Sequence, residues 1–525
     1  MGRLSPSPCR EAGSLVKMNE SDAKQTALSK LTAHNLMVSP YGLDLILERS
    51  IDVDEVIKEA EKAGVFLISD DFLREFVKVD SELTKVAEEL AVSSKGRHEA
   101  QVEVSKSRRI YAKELESRLV IDEKSDVTDK STCEGMLENF VEYFNQRYGN
   151  IRSILRERQE YRSAVTIEAA KKLQGERVNL IAMVNERRES KKGHRFLDLE
   201  DPTGTITALI PEDKDNVLRV YPKLMLDEVV GIQGTFRNNL FLIDEITQPD
   251  LPFNIKTKTA DEDVYAAFLS DIHVGSYLFL EREFYKMIDW LKGNGPDREI
   301  AEKVKYILIA GDLVDGIGVY PNQDKELTIP DIYRQYDFLA RILEDIPDYI
   351  EIVLGMGNHD ATRGAEPQPR VSQEIAEPLY KLPNVHVVGN PVTLSMHGVR
   401  TLMYHGTSLD TIIGNISDCS YSAPEKAMIQ YLIRRNLVPS YGPDMIAPEG
   451  RDYLTIKEIP DIFHCGHVHT NGYANYRGVK VINSGTWQAK TRYQEQLGHQ
   501  PTPCRVPVIN LQNHEVSVHH FLNNG

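Results

Sequence analysis

The sequence predicts a chain of mixed α/β class, in which a layered α/β domain follows a small closed β-barrel and a helical N-terminal domain. After Asp263, strand-like runs alternate with helical runs, which is the pattern of a layered α/β domain. Between residues 176 and 245, five short strand-like runs are separated by turns with glycine at the bends, as in a small closed barrel. From about Ser21 to Leu90, apolar residues recur at helical spacing. A length of 525 residues suits about three such domains.

The overall charge limits the classes of function. The chain carries 62 Lys and Arg against 79 Asp and Glu, a formal net charge of -17, with an ordinary globular composition of 41% hydrophobic and 27% charged residues. A protein this acidic is not a general polyanion binder. Contact with nucleic acid must therefore use local basic patches, metal ions or a partner chain.

The cysteines and the hydropathy pattern predict a cytoplasmic protein without a membrane partner. The five cysteines form no Cys-x-x-Cys pair and their number is odd, which argues against a disulfide framework or a zinc ribbon and favours a reducing compartment. No run of 18 apolar residues and no signal-peptide core is present. The cysteines are Cys9, Cys133, Cys419, Cys465 and Cys504.

The N-terminal residues divide into three predicted parts. Residues 1–20 are expected to be a disordered tail, or an over-extended start if translation begins at Met18. Residues 21–90 are expected to form the helical domain, and residues 91–132, of mixed charge and weak periodicity, a flexible linker. The clearest helix places apolar residues on one face and has Gly64 as a C-cap: Val53, Val56, Ile57 and Ala60.

A connecting helix is predicted within residues 133–174, and it leads into the barrel at residues 175–255. The helix has a single apolar face, so it is expected to pack on a neighbouring domain. The apolar face consists of Leu137, Phe140, Val141, Phe144, Tyr148, Ile151 and Leu155.

The barrel pattern is that of the oligonucleotide-binding (OB) type, and its first hairpin is unusually basic for this chain. The basic residues could contact phosphates, or they could simply be solvated at a hairpin tip. They are Arg187, Arg188, Lys191, Lys192 and Arg195.

In residues 260–525, five strand-like runs each lead into side chains that can bind metal. Loops that leave the carboxyl ends of such strands are where sites are usually built. Mixed imidazole, carboxylate and carboxamide ligands suit Mn²⁺, Fe or Zn²⁺ better than Ca²⁺. Two ions about 3.5 to 4 Å apart, bridged by one carboxylate, can clamp a phosphate and activate a water. The candidates are Asp271, His273, Asp312, Asp315, Asn358, His359, Asp360, His405, His467 and His469.

Local geometry offers a reason for the spacing within these motifs. Residues two apart on an extended segment point the same way, so Asp271 with His273, and His467 with His469, are expected to face one pocket. Glycines beside the candidates are expected to allow tight turns where backbone and ions come close. They are Gly311, Gly357, Gly406 and Gly466. The final strand-like runs, from residue 479 and from residue 504, are expected to close a second sheet.

Each motif alone has an ordinary structural explanation. Asn358 could be a turn residue, Asp271 a cap, and His405 a satisfied buried histidine. Gly-His-x-His is more specific, because composition predicts only about 0.03 occurrences in the chain. The joint pattern, five successive strand ends with the right chemistry, favours a metal site.

The motifs SDIHVGS, GDLVDG, GNHD, YHG and GHVH, in this order, resemble those of the calcineurin-like metallophosphoesterases. The flanking stretches LIAGDLVDGIGVYPNQ, PDIFHCGHVHTNGY and VINSGTWQAKT are similar to the small-subunit family of archaeal family D DNA polymerases. The resemblance covers most of the chain from about residue 175 and is most specific over roughly the last 260 residues. It implies a calcineurin-like β-sandwich with flanking helices after the OB barrel.

The same resemblance implies a function and a set of roles. It implies that the chain is a 3′ to 5′ proofreading exonuclease subunit that pairs with a large catalytic subunit. Its implied substrates are single-stranded or mismatched DNA 3′ ends in the cytoplasm at the nucleoid, and a sliding clamp is an implied partner through the holoenzyme. Two divalent ions are implied, with Mn²⁺ expected before Mg²⁺, Fe or Zn²⁺. Asp271, His273 and His469 would hold one ion, and Asn358, His405 and His467 the other, with Asp312 bridging.

The remaining polar residues of the motifs are expected to have roles other than metal binding. His359 is expected to be the general acid or the transition-state stabiliser beside the phosphate. Asp315 and Asp360 are expected to orient other groups. Two alternatives stay open: the chain could serve mainly to assemble a polymerase, or it could be an independent phosphodiesterase or repair nuclease.

Overall fold

A computed structural model describes residues 20–34, 36–48, 51–63, 65, 67–68, 72–73, 110–237 and 240–522. The chain divides into two compact units, residues 1–100 and residues 101–525. Several predicted parts lie outside the described residues: residues 1–19 of the predicted tail, Gly64, residues 74–90 of the predicted helical domain and residues 91–109 of the predicted linker.

The described residues of the N-terminal unit form three helices and a short pair of parallel strands. Its core is the apolar face that the helical spacing predicted, since Val56, Ile57 and Ala60 are all buried. The elements are α1 (Glu20–Ala33), β1 (Met37–Val38), α2 (Pro40–Glu48), α3 (Val53–Ala63) and β2 (Leu67–Ile68).

The prediction of a flexible linker is wrong for residues 110–132, which pack against the C-terminal domain. In α4 (Tyr111–Glu114), Ala112 is buried and its N–H donates to the Glu302 carbonyl at 2.9 Å. β3 (Leu119–Ile121) pairs with a core strand. A strand of three residues is too short to show a period in the sequence, and its pairing is with a segment about 270 residues away.

The connecting helix exists as α5 (Leu137–Arg156), and its buried face matches the predicted one only in the second half, where Tyr148, Ile151 and Leu155 are buried. Leu137 and Val141 are 73% and 55% exposed, whereas Tyr143 and Arg147 are buried. Arg147 donates to the Tyr143 hydroxyl at 2.9 Å, and that hydroxyl donates to Asp452 at 3.3 Å. The packed face of the helix therefore includes a buried polar network, which apolar periodicity does not reveal.

The barrel closes in the order β4-β5-β6-β8-β7, as the five predicted runs require. Alternating residues of these strands fill its interior, a core separate from that of the C-terminal domain. Its elements, with two short helices before and within it, are α6 (Ile167–Ala170), β4 (Arg177–Glu189), β5 (Arg195–Asp201), β6 (Gly204–Ile210), α7 (Asp215–Val220), β7 (Val229–Arg237) and β8 (Leu240–Thr247).

The C-terminal domain is a sandwich of two six-stranded sheets, ordered β12-β11-β10-β9-β18-β19 and β16-β17-β15-β14-β13-β3. Its strands are β9 (Tyr265–Leu269), β10 (Val304–Ile309), β11 (Glu351–Leu354), β12 (Val385–Val387), β13 (Val392–Met396), β14 (Val399–Met403), β15 (Ile462–Cys465), β16 (Asn471–Tyr476), β17 (Val479–Ser484), β18 (Arg505–Asn510) and β19 (Val516–His520). Its helices are α8 (Glu281–Leu291), α9 (Arg298–Ala301), α10 (Ile332–Glu344), α11 (Glu377–Lys381), α12 (Leu409–Asn415), α13 (Pro424–Arg434) and α14 (Arg492–Gln496).

The two sheets bury one apolar layer between them, with members from both, such as Phe268, Leu308, Leu394 and Ile482. β9, β10 and β11 run parallel, and so do β14 and β15, so within each sheet their carboxyl ends lie at one edge. The metal-competent motifs follow these ends.

The terminal strands depart from the prediction. β17 does join the second sheet, but β18 and β19 extend the first, because β18 pairs antiparallel with β9. A strand that is apolar on both faces fits either sheet, so its pattern does not select one.

Two further sequence predictions concern thiols and membranes. Cys133, Cys419, Cys465 and Cys504 are free thiols in the described residues. Over that same part of the chain, none of the helices combines the length and the apolar character that crossing a bilayer requires.

Candidate metal centre

The candidate side chains converge in two groups that match the predicted ligand sets, and a third, overlapping group contains His273, Asp312 and His359. In the first, Asp271, His273 and His469 are buried, with 0%, 2% and 8% of their surface exposed. Nε2 of His273 lies 3.1 Å from Nε2 of His469, which in turn lies 3.5 Å from Oδ1 of Asp271. Three donor atoms therefore face one point.

The second group contains Asp312, His405 and His467, and Asn358 completes it. Oδ1 of Asn358 lies 3.1 Å from Nε2 of His405 and 3.1 Å from Nδ1 of His467. Nε2 of His405 is also 3.4 Å from Oδ2 of Asp312.

Asp312 lies between the two groups. Its Oδ2 is 3.8 Å from Nε2 of His273 in the first group and 3.4 Å from Nε2 of His405 in the second. Burial acts to raise the pKa of Asp312, but the nearby charges of His405 and His359 hold that pKa well below its ordinary value. The carboxylate is thus ionised, the form that ligates a cation.

Three of the four histidines in these groups have their outer ring nitrogen on an acceptor. Nδ1 of His405 donates to the Ala310 carbonyl at 2.7 Å, Nδ1 of His273 lies 3.1 Å from Oδ1 of Asp315, and Nε2 of His467 lies 3.1 Å from Oδ2 of Asp410. Such contacts fix the tautomer in which the inner nitrogen carries the free lone pair. The arrangement therefore fits divalent metal ions, with a donor set that suits Mn²⁺, Fe or Zn²⁺.

The fourth histidine, His469, is held from a different element. Its Nδ1 lies 2.9 Å from the side-chain amide of Gln494 in α14. The amide oxygen of Gln494 accepts from the Thr491 N–H at 3.0 Å, so one glutamine joins the helix cap to the metal cluster.

The extended-strand explanation for the Asp-x-His and His-x-His spacing is wrong. The backbone is left-handed at Asp271 (φ 51°), His273 (φ 55°), His467 (φ 70°) and His469 (φ 55°), and also at Asp312 (φ 49°). Such conformations cost roughly 1–3 kcal/mol each and need support from the surroundings. Backbone hydrogen bonds give that support, for example from the His467 N–H to Oδ2 of Asp271 at 2.9 Å.

Two glycines are required by close approach to the carboxylates. A Cβ on Gly357 would lie 2.2 Å from Oδ1 of Asp312, and one on Gly466 would lie 2.5 Å from Oδ2 of Asp271. Any side chain there would displace the candidate ligands, so the turn at Gly357 serves the site.

His359 lies beside the groups and is more accessible than they are. Its N–H donates to Oδ1 of Asp312 at 2.8 Å, and its Nδ1 donates to the Asp315 carbonyl at 2.8 Å. Nε2 is left 4.0 Å from Oδ2 of Asp312, on a side chain that is 16% exposed. His359 therefore presents Nε2 to the centre without being enclosed by it.

Asp315 contacts a candidate ligand side chain, whereas Asp360 contacts the backbone of a loop. Asp315 contacts the candidate ligand His273, as described above. Asp360 instead accepts from the Gly357 N–H at 2.8 Å and the Tyr336 hydroxyl at 3.0 Å, so it holds the GNHD loop rather than a ligand side chain. Burial and the neighbouring Asp312 raise the pKa of Asp360 to about 7.

Sequence reasoning missed Asp410 and Gln494. Asp410 follows the YHG motif in α12 and carries no signal of its own, since its partner is 57 residues away. Gln494 belongs to a Thr-x-x-Gln capping box, a signal for a helix start that says nothing about a metal ligand.

The basic hairpin of the barrel is partly engaged in internal contacts. Arg188 pairs with Asp198 through three contacts of 2.7 to 2.9 Å, and Arg187 donates to the Tyr221 and Pro222 carbonyls at 3.1 Å. Lys191 and Lys192 are exposed at the tip. Phosphate contact by this hairpin stays a prediction, and its two lysines are the residues best placed for it.

Comparison with known proteins identifies both domains. Residues 265–478 match the family model described as calcineurin-like phosphoesterase, and residues 178–241 match an OB-fold nucleic acid binding domain. These matches confirm the predicted fold class.

Curated relatives cover most of the chain. The DNA polymerase II small subunit of Archaeoglobus fulgidus is 40% identical over 490 residues, which span 92% of this chain and 95% of that protein. The proteins of the same name from Methanocaldococcus jannaschii and Methanothermobacter thermautotrophicus are 42% and 41% identical, over 79% and 74% of this chain and 71% and 80% of theirs. The resemblance inferred from the motifs is thereby confirmed.

Proposed function

The chain belongs to the DNA polymerase II small-subunit family, and from that premise we propose that it is the small subunit of a two-subunit DNA polymerase and carries a two-metal 3′ to 5′ proofreading exonuclease. The observation that carries the nuclease proposal is the position of Asp312, with one oxygen within 4 Å of histidines from both groups. A bridging carboxylate between two groups of ligands is what a two-metal phosphodiesterase needs.

Each group of side chains would hold one ion. Asp271, His273 and His469 form the first set, and Asn358, His405 and His467 the second, with Asp312 shared. When bound there, two divalent ions supply Lewis-acid stabilisation of a phosphate and lower the pKa of a water. The protein contributes histidines held in fixed orientations and a buried site for the scissile phosphate.

His359 would act on the oxygen that leaves. Because its Nδ1–H is fixed on the Asp315 carbonyl, Nε2 is the nitrogen that can hold a proton towards the departing 3′ oxygen. Its backbone N–H on Asp312 keeps that ring in register with the bridging carboxylate. The GNHD loop thus supplies one ligand and one proton donor from adjacent residues.

Assembly with a large catalytic subunit is the second part of the proposal. The relatives are named as small subunits, and an exposed apolar patch at the start of α5 supports an assembly role in this chain: Met136, Leu137 and Val141. In such a holoenzyme the subunit would act on DNA 3′ ends in the cytoplasm at the nucleoid and share any sliding clamp. An independent phosphodiesterase would leave this patch and the helical N-terminal unit without a use.

One experiment tests the nuclease directly. The full chain, alone and with its large subunit, is assayed with Mn²⁺ on single strands labelled at the 5′ or the 3′ end. We expect shortening from the 3′ end, and Asp312→Asn should lower the rate at least about a hundredfold together with bound metal. Asp213→Asn, at an exposed aspartate of the barrel, is the matched control. Digestion from the 5′ end, or an unchanged rate in Asp312→Asn, would refute the proposal.

A further inference from the structure

We propose that Tyr421, Tyr493 and His499 form an aromatic rim that stacks the unpaired 3′-terminal base of a DNA strand beside His467. The inference rests on the proposed exonuclease function and assigns to it the group that recognises the substrate end. The three residues lie outside the motifs that predicted the metal centre.

The rim is joined to the metal centre by two hydrogen bonds. The Tyr421 hydroxyl donates to Oδ1 of Asp410 at 2.9 Å, and Oδ2 of the same carboxylate lies 3.1 Å from Nε2 of His467. Tyr421 is therefore one residue removed from a candidate metal ligand. A nucleotide whose phosphate lies at the ions would have its base within reach of this ring.

The rim presents aromatic surface to solvent. The rings of Tyr421 and His499 are nearly stacked, with centroids 4.1 Å apart and an interplanar angle of 31°, and both residues are only half-buried. Tyr493 is 69% exposed. Tyr493 lies in α14 beside Gln494, whose carbonyl accepts from the His499 N–H at 2.8 Å, so Tyr493 and His499 belong to one hydrogen-bonded segment.

The segment that carries Tyr493 and His499 is anchored on the other group of ligands. α14 begins with the Thr491–Gln494 capping box, and the Gln494 amide contacts His469 at 2.9 Å. The rim is thus tied to His467 through Asp410 and to His469 through Gln494. A platform held at both groups is preorganised for a nucleotide that spans them.

The chemistry of the segment suits a nucleotide in particular. Aromatic side chains stack on any base, because every base has a π face. Lys490 and Arg492, both exposed, closely precede Tyr493 in a chain whose net charge is -17. Cations interleaved with aromatic rings are the pattern of a single-strand binding surface.

Stacking on the rim also selects unpaired ends. A terminal base that is paired is already stacked on its neighbour and bonded to its partner, so moving it to the rim costs free energy. That cost is least for a mismatched or single-stranded base. The rim would therefore favour the ends that proofreading must remove.

The test compares two single-stranded DNAs that differ only in the 3′-terminal nucleotide, which is either an ordinary one or an abasic tetrahydrofuran. For the wild-type full chain with Mn²⁺, we expect kcat/KM about tenfold higher on the base-bearing end. Tyr493→Ala should bring that ratio close to one by slowing the base-bearing substrate alone, and His499→Ala should reduce it. With a 3′-terminal 2-aminopurine and Ca²⁺, binding should quench the fluorescence in the wild type and not in Tyr493→Ala.

Tyr111→Ala is the matched control, because Tyr111 is an exposed tyrosine in α4, whose contacts are at the start of β10, the end of that strand away from the site. It should leave the ratio and the quenching unchanged. Equal rates on the two ends, or an equal loss on both in Tyr493→Ala, would overturn the rim while leaving the exonuclease intact. Absence of hydrolysis by the wild type would refute the exonuclease, and the quenching would then decide the rim separately.

Discussion

Asp315 accepts a hydrogen bond from Nδ1 of His273 at 3.1 Å and is completely buried beside it. Gln488 donates to the same oxygen at 3.1 Å and Gln323 to the other at 2.9 Å, so the carboxylate is saturated with donors. Burial raises the pKa of Asp315, but the hydrogen bond and charge of His273 outweigh it and lower that pKa. His273 is thereby fixed with Nε2 towards His469, at the first group of ligands.

Replacing this carboxylate should weaken the metal centre without unfolding the domain. Asp315→Asn keeps the shape but no longer offers a charged acceptor to His273, so we expect Mn²⁺ affinity and hydrolysis of single strands to fall about 10- to 100-fold. Titration of bound Mn²⁺ together with initial rates measures both. Asp324→Asn, an exposed change nearby in the chain, is the control. Unaltered Mn²⁺ affinity would show that Asp315 does not orient a ligand.

Substitution of His359 should lower the rate of hydrolysis without lowering the amount of bound metal. In His359→Ala, the rate on DNA 3′ ends should fall about 10²- to 10⁴-fold, because a proton donor is lost. Bound metal, measured by elemental analysis, should stay at the wild-type level, since His359 is outside both groups of ligands assigned here. His359→Asn can retain a donor to the Asp315 carbonyl and should still be slow. His520→Ala, at an exposed histidine of β19, supplies the control.

Two outcomes would contradict this separation. A wild-type rate in His359→Ala would remove the residue from the mechanism. Loss of metal in the same variant would mean that His359 is a ligand, in the group that it forms with His273 and Asp312.

The sequence predicted most of the fold because its signals are local. The barrel strands, the parallel strands and the motifs at their ends appear in short stretches, and their order predicted the cluster of metal-competent side chains. The features that the sequence did not predict depend on residues that are far apart in the chain. β3 pairs with β13 across about 270 residues, and Arg147 is buried because Tyr143 and Asp452 accompany it. Neither relationship leaves a periodic pattern in the chain.

The candidate site shows the same division between local and distant information. The sequence predicted which side chains lie close together. It did not predict the backbone conformations that direct them towards one another. Left-handed conformations are uncommon for any residue other than glycine, although Asp and His adopt them more often than most, and those at Asp271 and His467 depend on contacts with other loops. For that reason the spacing argument predicted that these residues cluster but gave the wrong backbone geometry.

Gly231 in β7 should be intolerant of any side chain. A Cβ there would lie 2.5 Å from the ring of Tyr161, which is fully buried and donates to Thr247 at 2.9 Å. Gly231→Ala should therefore lower the free energy of unfolding by about 1–3 kcal/mol or more through overpacking. Urea unfolding measures the change, and Tyr161→Leu in the same chain should recover part of it.

Gly149 provides the matched glycine. It lies inside α5 with no atom within 4 Å of an added Cβ. Gly149→Ala should be neutral or should stabilise by about 0.5–1 kcal/mol, because the unfolded chain loses freedom. Equal effects of the two substitutions would show that Tyr161 does not crowd Gly231.

A buried ion pair joins the barrel to the sandwich. Removing one partner should lower the free energy of unfolding more than replacing both partners by apolar residues. Nε of Arg434, at the end of α13, lies 2.7 Å from Oε2 of Glu228 before β7, and the residues are 1% and 4% exposed. Arg434→Met alone leaves a buried carboxylate without its cation, so we expect a loss of about 3–5 kcal/mol in urea unfolding. The double variant Arg434→Met with Glu228→Met should lose less, since apolar groups can replace such a pair. Arg400→Met breaks the exposed pair with Glu458 and should cost at most about 1 kcal/mol. If the double variant were as unstable as Arg434→Met, the loss would come from packing of the arginine stem rather than from the stranded charge.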